Sequence, residues 1–266
     1  MNKIQRALSV AVLSVAGLGG SLHAQEVLRI AASPVPHAEI LAFVKPALKA
    51  QGIDLQVKVY TDYVQPNLAL EDKGVDANYF QTRPYLETFN KERKTHVVQV
   101  PGSDVHIEPF GAYSSKVKKV ADLKEGALVA IPADVSNVSR ALALLAQGGL
   151  IQLKDPKNLL STARDIVSNP KKLKFREVES AQLPRLLPDV DLALINTNYA
   201  LEAKLDPGKD ALLLEKGADS PYANFIAARP DNVNAPALRK LVTALHSPEV
   251  KKFILEKYKG AVVPAF

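Results

Sequence analysis

The sequence predicts an α/β protein of two lobes, each an open, mostly parallel sheet flanked by helices, with two extended hinge crossings between them. Three observations carry this. The same order of elements is written twice along the chain. Apolar strands alternate with amphipathic helices in the manner of parallel βαβ units. Two extended segments lead out of and back into the first copy.

The chain opens on a segment with the anatomy of an export signal. Lys3 and Arg6 give a basic start, Ala7 to Leu18 an apolar middle, and Leu22-His23-Ala24 a cleavage site before Gln25. Residues 1–24 are therefore expected to be removed, with lobe 1 formed by 25–112 together with 224–266 and lobe 2 by 113–223. Cleavage takes away two cations and lowers the formal net charge from +6 to +4.

The first copy starts with the strand Val27 to Ala32, passes a Pro-bearing loop, and enters a helix from His37 to Ala50. Ile40, Leu41, Val44, Ala47 and Leu48 fall on one face of that helix, and Gly52 stops it. Leu55 to Tyr60 alternates apolar and polar residues as a strand buried on one face. Gln65, a short helical stretch and Val75-Asp76 then announce a third strand. The second copy repeats this order: the strand Leu128 to Ile131, a turn at Pro132, a helix containing Arg140 to Leu145, and a strand near Leu173 to Val178. Gln182, a short helical stretch and Val190-Asp191 then lead into the strand Leu192 to Ile195. The crossings are His106 to Tyr113 and Pro221 to Ala227. Pro236 to Lys259 reads as a helical region broken near Ser247-Pro248, packing back on lobe 1 through Leu238, Leu241, Val242 and Leu245.

Composition narrows the function. A hydrophobic content of 47% fills two cores, and only the N-terminal segment is strongly apolar over any length. The absence of cysteine excludes disulfides, thiol nucleophiles, Cys-based metal sites and a lipid-modified cysteine. Lys and Arg are scattered among Asp and Glu with no nucleic-acid-reading motif, so no nucleic-acid partner is expected. Neither a Gly-x-Ser-x-Gly elbow nor a His-Glu-x-x-His helix occurs, so a secreted hydrolase is disfavoured and the protein is not expected to be an enzyme. His37 and His106 can converge with Glu108 or Asp104 on a metal only through long gaps, and no metal or other cofactor is expected.

Open α/β sheets take ligands beyond the carboxyl ends of their strands, where helix N-termini present free N–H groups. The loops at those ends hold Ser33 to His37, Thr61 to Tyr63, Asn78 to Thr82, Ala133 to Arg140 and Asn196 to Tyr199. Ser136-Asn137 can cap the helix that carries Arg140, leaving Arg140 in its first turns as a carboxylate clamp or as a surface cation. Tyr63, Tyr79 and Phe80 suit either an apolar ligand chain or the core. Asn196, Asn198 and Asn224 either fix a polar head group or terminate strands.

Five stretches share a family resemblance: Pro34 to Ile40, Asp62 to Asn67, Asp76 to Gln81, His106 to Pro109, and the ending Lys257 to Phe266. Together they make the chain similar to the NlpA lipoproteins, the substrate-binding proteins of methionine ABC importers. The resemblance implies a two-lobed periplasmic-binding-protein fold (type II-like). It also implies a monomer outside the cytoplasm, not lipid-anchored here, that takes methionine or a relative and meets the membrane only through an ABC permease and ATPase complex.

Carried over residue by residue, Tyr63 and Phe80 resemble the aromatic groups around the thioether, Arg140 the carboxylate-binding arginine, and Asn137, Asn198 and Asn224 the polar positions around the head group. The pattern departs at Thr82, where the family has His, and along Ala133 to Ser139, where Val138 replaces Glu. Thr82 and Val138 imply a roomier, less anionic pocket, so the ligand is either methionine or an oxidised, D-configured or dipeptide relative, or another sulfur compound.

Overall fold

The computed structural model describes residues 25–217 and 220–266, so the expected export signal at 1–24 lies outside the described residues. The first lobe begins with β1 (Glu26–Ala32), α1 (Glu39–Ala50), β2 (Ile53–Val59), α2 (Gln65–Glu71), β3 (Ala77–Thr82), α3 (Arg83–Arg93) and β4 (Val98–Ile107). The chain then crosses into β5 (Gly111–Tyr113), β6 (Leu128–Pro132), α4 (Val135–Gln147), β7 (Gln152–Leu153), β8 (Ile166–Ser168), β9 (Lys174–Val178), β10 (Leu192–Ile195), α5 (Thr197–Glu202), α6 (Pro207–Asp210) and β11 (Leu213–Leu214). It returns through β12 (Ala223–Ala228), α7 (Pro236–Leu245), α8 (Pro248–Tyr258) and β13 (Val263–Pro264).

Two main sheets result, ordered β13-β4-β12-β3-β1-β2 and β11-β5-β10-β6-β9, with β7 and β8 forming a separate pair. The duplication read from the sequence is a duplication of topology. In one sheet β1 lies between β2 and β3, parallel to both. In the other, β6 lies between β9 and β10, parallel to both. Each parallel trio then takes a crossing strand antiparallel at the corresponding edge: β12 beside β3 and β5 beside β10. The sheets are therefore mixed where the sequence suggests mostly parallel ones. Strands entering from the opposite lobe run against the trio they join, and β4, β11 and β13 add further antiparallel pairs.

Because β5 already belongs to the second sheet, the first crossing lies at Glu108–Phe110, slightly ahead of the 112/113 boundary expected from sequence. The return crossing enters the first sheet at Ala223, where β12 pairs with Ile107 of β4.

Local sequence explains the elements that carry the cleft. α1 buries Ile40, Leu41, Val44 and Leu48, and Gly52 takes φ +82°, a left-handed conformation that ends the helix and starts β2 without the strain a Cβ would bring. The expected helical region at 236–259 is two helices, and Ser247 caps the second by accepting from the Val250 N–H. Leu238, Leu241, Leu245, Val250 and Ile254 pack with Ile30, Ile40 and Leu41 in a single core, each burial of that kind worth roughly 1.5–3 kcal/mol. The second lobe has its own core around Val129, Ile131, Leu142, Leu145 and Leu194.

Candidate functional site

A small cavity lies between the two lobes at the crossings. Tyr63, Phe80, Thr82, Asn137, Arg140, Asn198 and Asn224, all singled out from sequence, line it together with Gln81, Tyr85, Glu108, Asn196 and Thr197. The structure brings together side chains from β3, α4, α5, β12 and the first crossing. Tyr79 stands apart from them, fully buried in the first lobe.

One wall is aromatic. The Tyr63 ring sits 5.9 Å from Phe80, 5.7 Å from Tyr85 and 5.0 Å from Tyr199, measured between centroids. The Tyr85 hydroxyl donates to the Tyr63 carbonyl at 2.7 Å and fixes the loop that presents the ring. Tyr63 also ties the lobes, donating across the cleft to Asn198 Oδ1 at 2.6 Å, while Tyr199 donates to the Thr61 carbonyl at 3.1 Å. Burial raises the Tyr63 phenol well above its ordinary range, so it remains a donor throughout the physiological range.

The opposite wall is polar and begins at α4. Asp134 caps this helix, accepting from the Asn137 N–H at 2.9 Å and from Asn137 Nδ2, whereas the sequence reading places the cap at Ser136-Asn137. Asp134 is the last residue in extended conformation, φ −76° and ψ 143°, so its carboxylate reaches the free N–H groups and Ser136 and Asn137 fall inside the first turn. Asn196 Nδ2 donates to Asn137 Oδ1 at 2.9 Å, joining the α5 and α4 N-termini.

Arg140 projects from the second turn of α4 and is only 4% exposed, so it is no surface cation. Its Nε and Nη2 donate to the Glu215 carboxylate at 2.9 and 2.6 Å, and Nη2 also donates to the Glu108 carbonyl at 2.7 Å. The guanidinium lies 4.1 Å from the Tyr222 ring centroid. Among the described residues Nη1 has no hydrogen-bond partner, which leaves one edge of the fork for an incoming anion. Two buried amide atoms also lack partners: Asn198 Nδ2, a donor, and Asn196 Oδ1, an acceptor. Buried polar atoms of this kind are rare, and a polar ligand would satisfy them.

Beneath the cavity lies a buried chain of hydrogen bonds. The Tyr79 hydroxyl meets His106 Nδ1 at 2.5 Å, His106 Nε2 meets Glu108 Oε1 at 2.8 Å, His37 Nε2 lies 3.3 Å from the same oxygen, and His37 Nε2 meets Asn224 Oδ1 at 2.9 Å. The ligand atoms of His37, His106 and Glu108 all lie within 4.8 Å of one another, so these three residues could hold a divalent cation. Asp104, the alternative acid considered from sequence, instead accepts from Gln99.

Burial lowers His37 to about 4, Glu108 working against it, and lowers His106 to about 3. Burial raises the Glu108 acid, against the pull of His37, Arg140 and the Asn198 N–H. An unfolded imidazole titrates near pH 6.5, so the stability from keeping each ring neutral is fully present above that pH and lost as pH falls toward the folded values. Glu108 acts in the opposite sense, its contribution being lost as pH rises through its raised value, and it offsets one imidazole at most. The expected result is a loss of about 1.4 to 2.7 kcal/mol of folding stability per pH unit between pH 6 and 5. Urea unfolding at the two pH values checks this, and His106→Gln should flatten the dependence.

Sequence reasoning passes over Glu215, Tyr85 and Tyr222 as site residues. Glu215 follows a run of leucines with no motif around it, and only the fold brings it to Arg140, 75 positions away. Tyr85 lies in α3 at a position that reads as ordinary packing.

The sequence model of the NlpA lipoprotein family matches residues 28–266. A methionine-binding lipoprotein MetQ of Bacillus subtilis is 42% identical over 238 residues, covering 88% of this chain and 86% of that protein. A D-methionine-binding lipoprotein MetQ of Salmonella typhi is 43% identical over 221 residues, covering 82% and 80%. Among solved structures, a nutrient binding protein from Burkholderia cenocepacia bound to methionine superposes with a TM-score of 0.85 at 45% identity, covering 90% of this chain and all of that one.

Proposed function

The chain belongs to the NlpA lipoprotein family, and we propose that it captures methionine between its lobes outside the cytoplasm and presents it to an ABC importer. The observation that carries this reading is the cavity itself. An aromatic wall faces a polar wall on which Arg140 Nη1, Asn198 Nδ2 and Asn196 Oδ1 lack partners. An amino acid with an apolar, polarisable side chain complements both. Its thioether lies against Tyr63, Phe80 and Tyr85, a contact that sulfur makes favourably with aromatic rings, and its carboxylate takes the open edge of Arg140. Thr82 sits at the end of β3 among these groups and, being smaller than a ring, leaves room beside the side chain.

Binding acts through closure. The ligand touches residues of both sheets, so it favours the arrangement in which the lobes meet by the difference between its affinities for the open and closed states. Tyr63–Asn198 and Tyr199–Thr61 are the protein's own contribution to that arrangement. No bond of the ligand is broken, and binding rather than catalysis is the activity. Passage across the bilayer falls, on this reading, to a permease with its ATPase; among the described residues no helix is long and apolar enough to cross a membrane.

Mass spectrometry of the small molecules released when the natively purified protein is denatured tests the reading. Methionine in near-stoichiometric amount is expected. Release of a different compound as the dominant ligand would overturn it.

A further inference from the structure

We infer that the outer face of the helix layer on the first lobe is a docking surface for anionic phospholipid, which holds the protein reversibly against a membrane whatever fills the cleft. This contact is additional to the importer and uses no residue of the cavity.

Packing builds the face. α1 lies against both α7 and α8, and the three cover one side of the six-stranded sheet, burying Ile40, Leu41, Leu238, Leu241 and Ile254 beneath them. The other side of the sheet is covered by α2 and α3, with Leu70 and Leu86 packed on Ala31 and Phe225. Helical periodicity turns the remaining sides of α1, α7 and α8 to solvent.

Charge singles this layer out. α1 carries Lys45 and Lys49, α7 carries Arg239 and Lys240, and α8 carries Lys251, Lys252 and Lys257. The acids on the same helices are Glu39, Glu249 and Glu256, so the layer sums to 7 − 3 = +4. The whole chain after residue 24 has the same formal charge, (34 − 2) − 28 = +4, and everything outside the layer therefore cancels. On the opposite side of the sheet, α2 and α3 set Arg83, Lys91 and Arg93 against Glu71, Glu87 and Glu92 and sum to zero. Pairing within the layer is slight. Lys257 meets Glu39 at 3.1 Å and Lys252 meets Glu256 at 3.8 Å, while the other five cations have no acidic partner within ion-pair distance among the described residues.

Apolar side chains stand among these cations. Phe43 is 41% exposed and stacks on Phe253 at 4.4 Å between centroids, joining α1 to α8, and Leu255 is 49% exposed. Among the described residues no other phenylalanine is as exposed as Phe43.

This chemistry fits a lipid surface better than a protein. Six of the seven cations are Lys, a flexible point charge that protein interfaces avoid, whereas planar recognition of a single phosphate favours Arg. A sheet of anionic headgroups imposes no fixed geometry, so dispersed Lys serve it, each adding attraction within a Debye length, and a ring such as Phe43 enters the headgroup boundary. None of the residues lining the cavity belongs to α1, α7 or α8, so the protein rests on the membrane with its cleft free.

Cosedimentation of the mature protein with vesicles of equimolar phosphatidylglycerol and phosphatidylcholine, or of phosphatidylcholine alone, tests the inference. In about 20 mM salt the anionic vesicles should take up about tenfold more protein than the neutral ones, and the difference should vanish near about 300 mM as the charges are screened. Combining Lys45→Gln, Lys49→Gln, Lys251→Gln and Lys252→Gln should lower uptake by about tenfold and Phe43→Ser by about threefold. Lys118→Gln, Lys119→Gln and Lys124→Gln together, on the second lobe, should leave it unchanged. Equal uptake by anionic and neutral vesicles overturns the inference, and this comparison uses unmodified protein, so it stands even if a variant fails to fold. Loss in the second-lobe variant as large as in the first-lobe one also overturns it. A dimer that Phe43→Ser dissolves, with no uptake by vesicles, assigns the face to a second copy and overturns it as well.

Discussion

Arg140→Ala should weaken L-methionine binding by at least 100-fold and lower folding stability by about 3–5 kcal/mol, the usual cost of breaking a buried ion pair from one side. The two effects have separate origins. Binding is expected to fall because the open edge of the guanidinium, the proposed partner of the carboxylate, is gone. Stability falls because the Glu215 carboxylate, its side chain only 12% exposed, loses both guanidinium hydrogen bonds and keeps only the one from the Phe110 N–H, and the Glu108 carbonyl loses the Arg140 donor. Removing both charges separates them. Arg140→Met combined with Glu215→Leu should recover most of the stability, since apolar replacement of a buried pair is often close to neutral, yet leave binding as weak as in Arg140→Ala. Denaturant unfolding and calorimetry on the same samples read both quantities. A double variant that regains methionine affinity would remove Arg140 from the site.

Tyr63→Ala should cost about as much in affinity, roughly 100-fold, through a different route. The ring is the point at which the aromatic wall of the first lobe meets the second, packed against Phe80, Tyr85 and Tyr199 and bonded to Asn198. Its removal takes apolar contact from the ligand and a tie from the closed state. Tyr63→Phe separates these terms: it keeps the ring and deletes one hydrogen bond, so about a 5- to 10-fold loss is expected, in keeping with about 1 kcal/mol for such a bond. If Tyr63→Phe and Tyr63→Ala weaken binding equally, the ring is not a ligand contact.

Much of this site was legible in the sequence because it sits where the fold class puts sites. The doubled element order became two parallel trios, β2-β1-β3 and β9-β6-β10, and the loops after those strands became the walls of the cleft. Tyr63, Thr82, Arg140 and Asn198 could be nominated for that reason before any geometry was known. Three features lay beyond the sequence for physical reasons. The antiparallel strands at the crossings depend on which edge an incoming strand meets, and hydrophobic alternation carries no direction. Asp134 rather than Ser136 caps α4 because the last extended residue decides the cap, and Asp, Ser and Asn within four positions are equally able to serve. Glu215 and the His37–His106–Glu108 cluster depend on contacts between residues far apart in sequence, which no local pattern encodes. Glu108 and its two histidines are visible in the sequence as residues that reach a common metal only across long gaps, and the hydrogen bonds that join them to Tyr79 and Asn224 are legible only in the fold.

The central claim is that the cleft is a methionine receptor, and calorimetric titration of refolded, ligand-stripped mature protein with L-methionine tests it most directly. Stripping matters because a co-purified ligand would mask the signal. Saturable binding of one L-methionine per chain in the micromolar range or tighter is expected, weakened at least 100-fold in Arg140→Ala. Folded protein that takes up no methionine, or takes it up with the same affinity after Arg140→Ala, would contradict it.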